Sequence, residues 1–422
     1  MTRILALLII VVPVTVSAQL LPITPSLPSL PKVGGVVQGV ADEARALPQA
    51  VTQLAQDRLS RLDTLIRSNP ATIARDDHGD PARAGEVIVD DPDDALIAGA
   101  RAAGFTLIEH GTIEGLNISY GRFQAPPGKS LPAAIRALRK LAGKRAVSAD
   151  QLHFQSGNTE SGNTGNVAAP AATGALQPVN RPIAGRIGMV DGGVGPGIAG
   201  TITRAGFARG AGMASSHGSA IASLILGAPG IRASAAGARL WTADVYGNDP
   251  AGGSALAIAQ ALGWLSSARV PVTVISLVGP PNPLLARVAQ AVQIRGMIIV
   301  AAVGNDGAAA PPAYPASYPG VIAVTGVDGR NRVLIETGQA LHLDYAAPGA
   351  DMLASNAQGH PVAVRGTSFA APFVAARIAA YYNEPDRADM TTTLRRIDGE
   401  ARRMGPRYGR GLVCADCRTP AK

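Results

Sequence analysis

Aromatic residues are scarce: Phe, Tyr and Trp make up 4% of the 422 residues, so any core must be packed with small aliphatic side chains. The same scarcity bears on the net charge of +8. Basic residues that bind nucleic acid are usually interleaved with base-stacking aromatics. Neither that pattern nor a nucleic-acid motif occurs, so the charge is read as a solvated surface. It is unevenly placed: 22 Lys and Arg stand against 14 Asp and Glu from Arg181 onward, which leaves 16 against 16 before it. Cysteine is nearly absent. Only Cys414 and Cys417 occur, spaced CADC, with no further zinc ligands nearby and no strand-and-helix setting for a redox motif; a small-loop disulfide is expected. Past the N-terminal segment no run reaches about 18 uninterrupted apolar residues, which excludes an ordinary membrane-spanning helix there. No internal repeat of fixed period is found. No GxSxG nucleophile elbow occurs either, which excludes the esterases built on that turn.

What is present begins with MTRILALLIIVVPVTVSA. Arg3, an apolar run and a small-residue end give residues 1–18 the pattern of a signal peptide cut after Ala18. Residues 19–40 are a proline-rich spacer. Residues 41–84 hold a helix, with Leu54, Leu59, Leu62 and Leu65 near helical spacing and Pro48 at a start or kink, followed by the acidic loop RDDHGD, read as solvated. Residues 85–154 run strand, helix, strand, strand, helix, strand, the order of a small ferredoxin-like α+β module. Residues 155–180 are rich in Gly, Asn, Thr and Ala and read as a flexible linker. From 181 to 385 short apolar strands such as RIGMV, VTVISLV and GMIIVAAV alternate with small-residue helices, which implies an α/β domain: a parallel sheet flanked by helices on both faces. Residues 386–422 form a basic tail; from Arg387 it carries 9 basic and 4 acidic residues, with the cysteine pair.

Polar residues then fall at the carboxyl edge of that sheet, where such folds hold their sites. Asp191 ends the strand RIGMVD, His217 opens the helix SSHGSAIASLILG, and Ser368 opens the helix TSFAAPFVAARIAA. A serine hydroxyl needs a base to take its proton, and that base needs a partner to fix its tautomer. Asn305, after the strand GMIIVAAV, could set a side-chain amide over a developing oxyanion. Singly, each of these is a turn or a helix cap; four in this order at four element boundaries are a constellation.

VDGG, SSHGSAIAS, AAVGNDG and GTSFAAP resemble, in this order, the four signatures of the subtilisin-like serine proteases, over about residues 186–380. The resemblance implies a subtilisin-like α/β fold and a serine endopeptidase. It assigns Asp191 to orienting the base, His217 to general base, Ser368 to nucleophile, and Asn305 with the Ser368 amide to the oxyanion hole. It further implies that Gly252 and Gly253 on one edge, and Ser276, Leu277 and Val278 on the other, flank an extended substrate, and that Ala302 and Gly304 line the pocket for the residue before the cut bond. Val278 stands where the family often has glycine, which narrows that pocket toward small side chains. The loop at 227–237 carries no carboxylate or Asn, so no calcium site is evident and no cofactor is expected. Tyr314–Pro315 is expected to be cis, as in relatives.

The family is often made as a secreted precursor whose ferredoxin-like prodomain assists folding and blocks the active site. On that analogy residues 85–154 would be an intramolecular inhibitor and chaperone, cleaved off between about Gln155 and Asn180, in a zymogen exported to the periplasm or the medium. The expected partners are polypeptide substrates and this prodomain, without nucleic acid and without a transmembrane segment once the signal is removed. Two other readings stay open at this stage: a peptide-binding member of limited catalysis, and a processing protease dedicated to one partner.

Overall fold

Alternation of side chains along short apolar strands sets the layers of this protein. The computed structural model describes residues 36–156, 158–159, 183 and 185–421, and for 36–51 and 158–159 the backbone alone. The signal peptide, most of the proline-rich spacer and most of the 155–180 linker lie outside the described residues. The chain divides into a short unit up to Leu47 and a large one from Pro48. Of the first, only helical backbone is described, the start of helix α1 (Val36–Ser68), which continues through Pro48.

The N-terminal module of the large unit follows α1. It comprises β1 (Ile73–Arg75), β2 (Pro81–Asp90), α2 (Asp94–Ala102), β3 (Thr106–Ile113), β4 (Ile118–Gln124), α3 (Leu131–Ala142) and β5 (Val147–Gln151). Its strands pair antiparallel in the order β3, β4, β2, β5, the ferredoxin-like arrangement, with β1 hairpinned onto the start of β2. Alternation gives the sheet two jobs. Val87 and Val89 point into the module's own core beneath α2 and α3, while Ile88 between them joins a second cluster with Ile118 and Tyr120. That second cluster is shared with the large domain. Two short strands, β6 (Phe154–Gln155) and β7 (Asn158–Thr159), then leave the module. The last strand expected from the sequence is thus split, and residues expected in a linker are extended and paired.

The large domain continues with β8 (Arg186–Asp191), β9 (Thr201–Gly206), α4 (Ser216–Leu226), β10 (Arg239–Asp244), α5 (Ala255–Ser267), β11 (Val272–Ile275), β12 (Leu277–Val278), α6 (Pro283–Ile294), β13 (Ile298–Ala302), β14 (Ile322–Val327), β15 (Tyr345–Pro348), β16 (Met352–Ser355), β17 (Pro361–Arg365), α7 (Ala371–Ala379) and α8 (Arg387–Glu400). Seven strands form one parallel sheet in the order β15, β14, β13, β11, β8, β10, β9. Along β13, Ile298, Val300 and Ala302 face α4 and α7, whereas Ile299 and Ala301 face α5 and α6. Both faces are covered, which is why these strands are apolar throughout.

Two expectations need correction. The RDDHGD loop is not fully solvated: Asp76 is 3% exposed and accepts the His78 and Asp80 amides and the Gln151 carboxamide, each at 2.9 Å. Nor do residues 386–422 form a loose tail. Ile397 of α8 and Val413 lie fully buried in the core, Val413 donates its amide to Ala346 at 2.8 Å, and Cys414 and Cys417 are joined in a disulfide. Sparse apolar anchors hold an otherwise basic segment, so composition alone hides its role. Among the described residues no helix is long and apolar enough to cross a membrane.

Because Val413 packs at 0% exposure on the sheet edge, trimming it leaves both lost burial and a cavity. Val413→Ala is expected to destabilise the protein by roughly 2 kcal/mol. Denaturant unfolding tests this, and an unchanged midpoint would return the segment to the status of a tail.

Candidate active site

Asp191, the last residue of β8, is fully buried and accepts the His217 Nδ1–H at 2.9 and 3.0 Å from its two oxygens. His217 is held there by helix geometry. Ser215 caps α4, its Oγ accepting the Gly218 amide at 3.2 Å, so that the imidazole in the first turn faces back across the strand end. Ser368 lies in a 3₁₀ turn, Thr367–Phe369, directly ahead of α7, and Gly366 enters that turn at φ 148°. The Phe369 ring lies tilted against the His217 ring, with centroids 5.3 Å apart. Ser368 Oγ and His217 Nε2 are both buried, and neither has a hydrogen-bond partner among the described residues. The Ser–His hydrogen bond is therefore not formed; such contacts characteristically tighten only in the reacting complex.

Asn305 ties three segments together. Its Oδ1 accepts the Thr367 amide at 2.9 Å and its Nδ2 donates to the carbonyl of Ser156. That same carbonyl accepts the Ser368 amide at 3.1 Å. Two N–H groups thus converge on one carbonyl oxygen beside a serine hydroxyl, the arrangement an oxyanion hole requires. Thr367 Oγ1 bridges the Gly304 amide and carbonyl, and Ser276 Oγ donates to the Ser368 carbonyl at 2.9 Å, so the hole is braced from both sides.

The Ser156 carbonyl is delivered by strand pairing. β6 pairs antiparallel with β12, Leu277 opposite Gln155 and Val278 opposite Phe154, and the Ser156 amide donates to the Ser276 carbonyl at 3.2 Å. On the other edge the His153 amide donates to the Gly253 carbonyl at 2.8 Å, and Leu152 bridges Ser254. Beyond the site β7 pairs with β17. The chain's own residues 152–156 thus run extended between the two cleft edges. Gly252 serves the turn before that edge, giving its amide to Asp249. Gly304 faces Val278, whose methyl would lie 3.4 Å from any Cβ placed there. Ala302 differs from expectation: its side chain lies in the core with α4 and α7 rather than in the cleft.

Sequence reasoning leads the module's last strand toward the cleft but does not single out the Ser156 carbonyl or the pairing of β6 with β12, since a backbone carbonyl and a ladder have no residue signature. It also missed the seam with the N-terminal module. There Asp150 accepts the Leu256 amide at 2.9 Å at the start of α5, and Asn282, which caps α6, donates to the Gln151 carboxamide at 2.6 Å. From outside that seam α1 reaches the loop next to Asn305: Arg58 and Arg61 pair with Asp306 at 3.3 and 2.6 Å, and Leu54 lies over Gly307. Among the described residues no three His, Cys, Asp or Glu side chains gather as a metal site. The Tyr314–Pro315 peptide is cis.

Comparison with known proteins gives a consistent pattern. The family model described as the subtilase family matches residues 208–396. Subtilisin BL of Lederbergia lenta is 30% identical over 193 residues, which is 45% of this chain and 71% of that enzyme. M-protease of Shouchella clausii (strain KSM-K16) is 31% identical over 194 residues, 45% of this chain and 50% of that one. Among solved structures, fervidolysin from Fervidobacterium pennivorans superposes with a TM-score of 0.59 at 16% identity, covering 80% of this chain and 61% of that one. A serine-to-alanine mutant of the protease domain of PatA superposes with a TM-score of 0.50 at 21% identity, covering 56% and 94%.

Two buried groups at the seam titrate in opposite senses. Burial lowers the His153 imidazole to about 4, and neither ring nitrogen has a partner among the described residues. Burial raises the Asp150 carboxyl to about 6, against the amide it accepts from Leu256. An undocked His153 takes a proton from about 6.5 downward, so docking of the module loses stability as pH falls from there to 4. A docked Asp150 takes its proton earlier than a free carboxyl, so docking gains stability as pH falls from 6 toward 4. The two largely offset, and removing one exposes the other. His153→Leu should make docking at pH 5 about thirtyfold more favourable relative to pH 7.5 than it is in the unchanged chain. Amide-exchange protection of Val147–Gln151 at the two pH values measures this; identical pH responses would show that His153 stays uncharged for another reason.

Proposed function

The chain belongs to the subtilase family of serine proteases, and from that premise we propose that it is an endopeptidase made as a self-inhibited precursor, whose first substrate is its own Ser156–Gly157 bond. The observation that carries this reading is the Ser156 carbonyl, bonded at once to the Ser368 amide and the Asn305 side chain, on a strand paired to both cleft edges.

The chemistry follows from those positions. Ser368 Oγ attacks the Ser156 carbonyl carbon while His217 Nε2 takes the hydroxyl proton. Asp191 keeps His217 Nδ1 protonated and stabilises the imidazolium that forms. The oxygen that becomes negative already faces the Asn305 and Ser368 N–H donors, and the nearby start of α7 adds its dipole. Collapse breaks the Ser156–Gly157 bond, and His217 returns the proton to the departing Gly157 amine. A water molecule, activated by the same base, then frees the Ser156 carboxylate from Ser368. Until the N-terminal module leaves, β6 occupies the place of a substrate and blocks others.

Ser156 and the narrowing by Val278 favour small residues before the cut bond. Export rests on the pattern of residues 1–18, outside the described residues, with support from the Cys414–Cys417 disulfide, which suits an oxidising compartment.

N-terminal sequencing of the processed protein should read Gly157-Asn158-Thr159. Ser368→Ala should leave the chain whole, and Asn305→Ala should slow processing by about 10²–10³-fold. A processed Ser368→Ala chain would remove Ser368 from the mechanism, and a mature terminus elsewhere would remove Ser156.

A further inference from the structure

Besides its backbone, the cleft strand makes a side-chain contact with the catalytic machinery itself. Gln155 Nε2 lies 3.2 Å from Asp191 Oδ1 and 3.3 Å from Ser215 Oγ. Both partners are oxygens. Asp191 is fully buried, and its Oδ1 already takes the Gly192 amide at 2.8 Å and His217 Nδ1 at 3.0 Å. Ser215 Oγ already accepts the Gly218 amide. The wall that faces the second residue on the acyl side of the cut bond is thus a buried carboxylate, which only accepts, beside a hydroxyl, held by the β8 terminus and the α4 cap. Gly192 completes it by absence: a Cβ there would stand 2.6 Å from Ser215 Cβ and 3.3 Å from Gln155 Nε2, closing the space in which the carboxamide lies.

We propose that Asp191 and Ser215 form a specificity subsite that selects polypeptides with a hydrogen-bond donor, Gln above all, at the second position before the cut bond. This rests on the reading that residues 153–156 are the acyl side of a substrate. The Asp191 carboxylate, which can only accept, gives the subsite its sign. Glutamine fits because its amide donates. Glutamate, the same shape, sets a second carboxylate against a buried one. Methionine, similar in length, offers no donor, so the Asp191 carboxylate loses one of its hydrogen bonds. A hydrogen bond to an ionised, buried acceptor is among the stronger ones, so its presence or absence separates side chains of equal length. A Gln at this position also adds a donor to the carboxylate that orients His217, so the subsite reports directly on the catalytic row.

The test uses the full chain, with Gln155→Met and Gln155→Glu compared against the unchanged protein for the rate of cleavage after Ser156. Met is expected to slow cleavage by about tenfold and Glu by about a hundredfold, from the loss of a charge-assisted hydrogen bond and from like-charge contact. A second arm asks the same question without altering the chain: the processed enzyme is given acetyl-His-Phe-X-Ser-aminomethylcoumarin, with X as Gln, Met or Glu, and kcat/KM is compared. The same ranking in this arm supports the subsite even if a chain variant fails to fold. Equal rates across X in the peptide arm overturn the subsite while leaving the protease reading intact. No cleavage of any chain or peptide overturns the protease reading itself.

Discussion

One carboxamide, that of Asn305, holds the centre of this molecule together. Its oxygen takes the Thr367 amide and its nitrogen gives to the Ser156 carbonyl, so the loop after β13, the turn before α7 and the strand leaving the N-terminal module all meet on a single planar group. Such a group can serve both only because its donor and acceptor ends are fixed relative to each other. Whatever orients Asn305 therefore sets the donors around the Ser156 carbonyl and the position of the cleft strand in one step.

The seam around this centre is unlike either core beside it. Apolar residues of β2 and β4 meet α5 and α6, yet at the end of β5 the contact turns polar: Asp150 on the α5 amides, and Gln151 between Asp76 and Asn282. Helix starts left without partners would be costly, and here the module supplies them. The N-terminus of α5 is thus completed partly by Asp150, which the proposed function would later remove, whereas α6 is capped by its own Asn282, whose Nδ2 donates to Gln151. Polar groups of this kind are satisfied by water once exposed, whereas a wholly apolar seam would not be.

Much of this was legible in the sequence, for physical reasons. Asp191, His217, Ser368 and Asn305 each sit where a strand ends or a helix begins, and the glycines beside them permit the turns needed there. The parallel sheet was legible because strands covered on both faces must be apolar throughout. What escaped notice has equally plain causes. Ser156 meets the Ser368 and Asn305 N–H groups through its carbonyl, and β6 and β7 pair through backbone, which leaves no mark on residue type. Ala302 was misplaced by the parity of a strand: in β13 the even-numbered residues face α4 and α7. The C-terminal segment read as a tail because Ile397 and Val413 are single apolar anchors in a basic stretch, and Asp76 read as solvated because its partner Gln151 lies far along the chain.

Helix α1 lies outside the ferredoxin-like sheet, yet through Arg58 and Arg61 it grips Asp306, the neighbour of Asn305. These charges are partly exposed, so their attraction fades as mobile ions crowd in, over a screening length of about 8 Å at physiological strength. The saltiness of the surrounding fluid is thereby coupled to how tightly the oxyanion loop is clasped from without: a brine slackens the clasp, and dilution draws it closed.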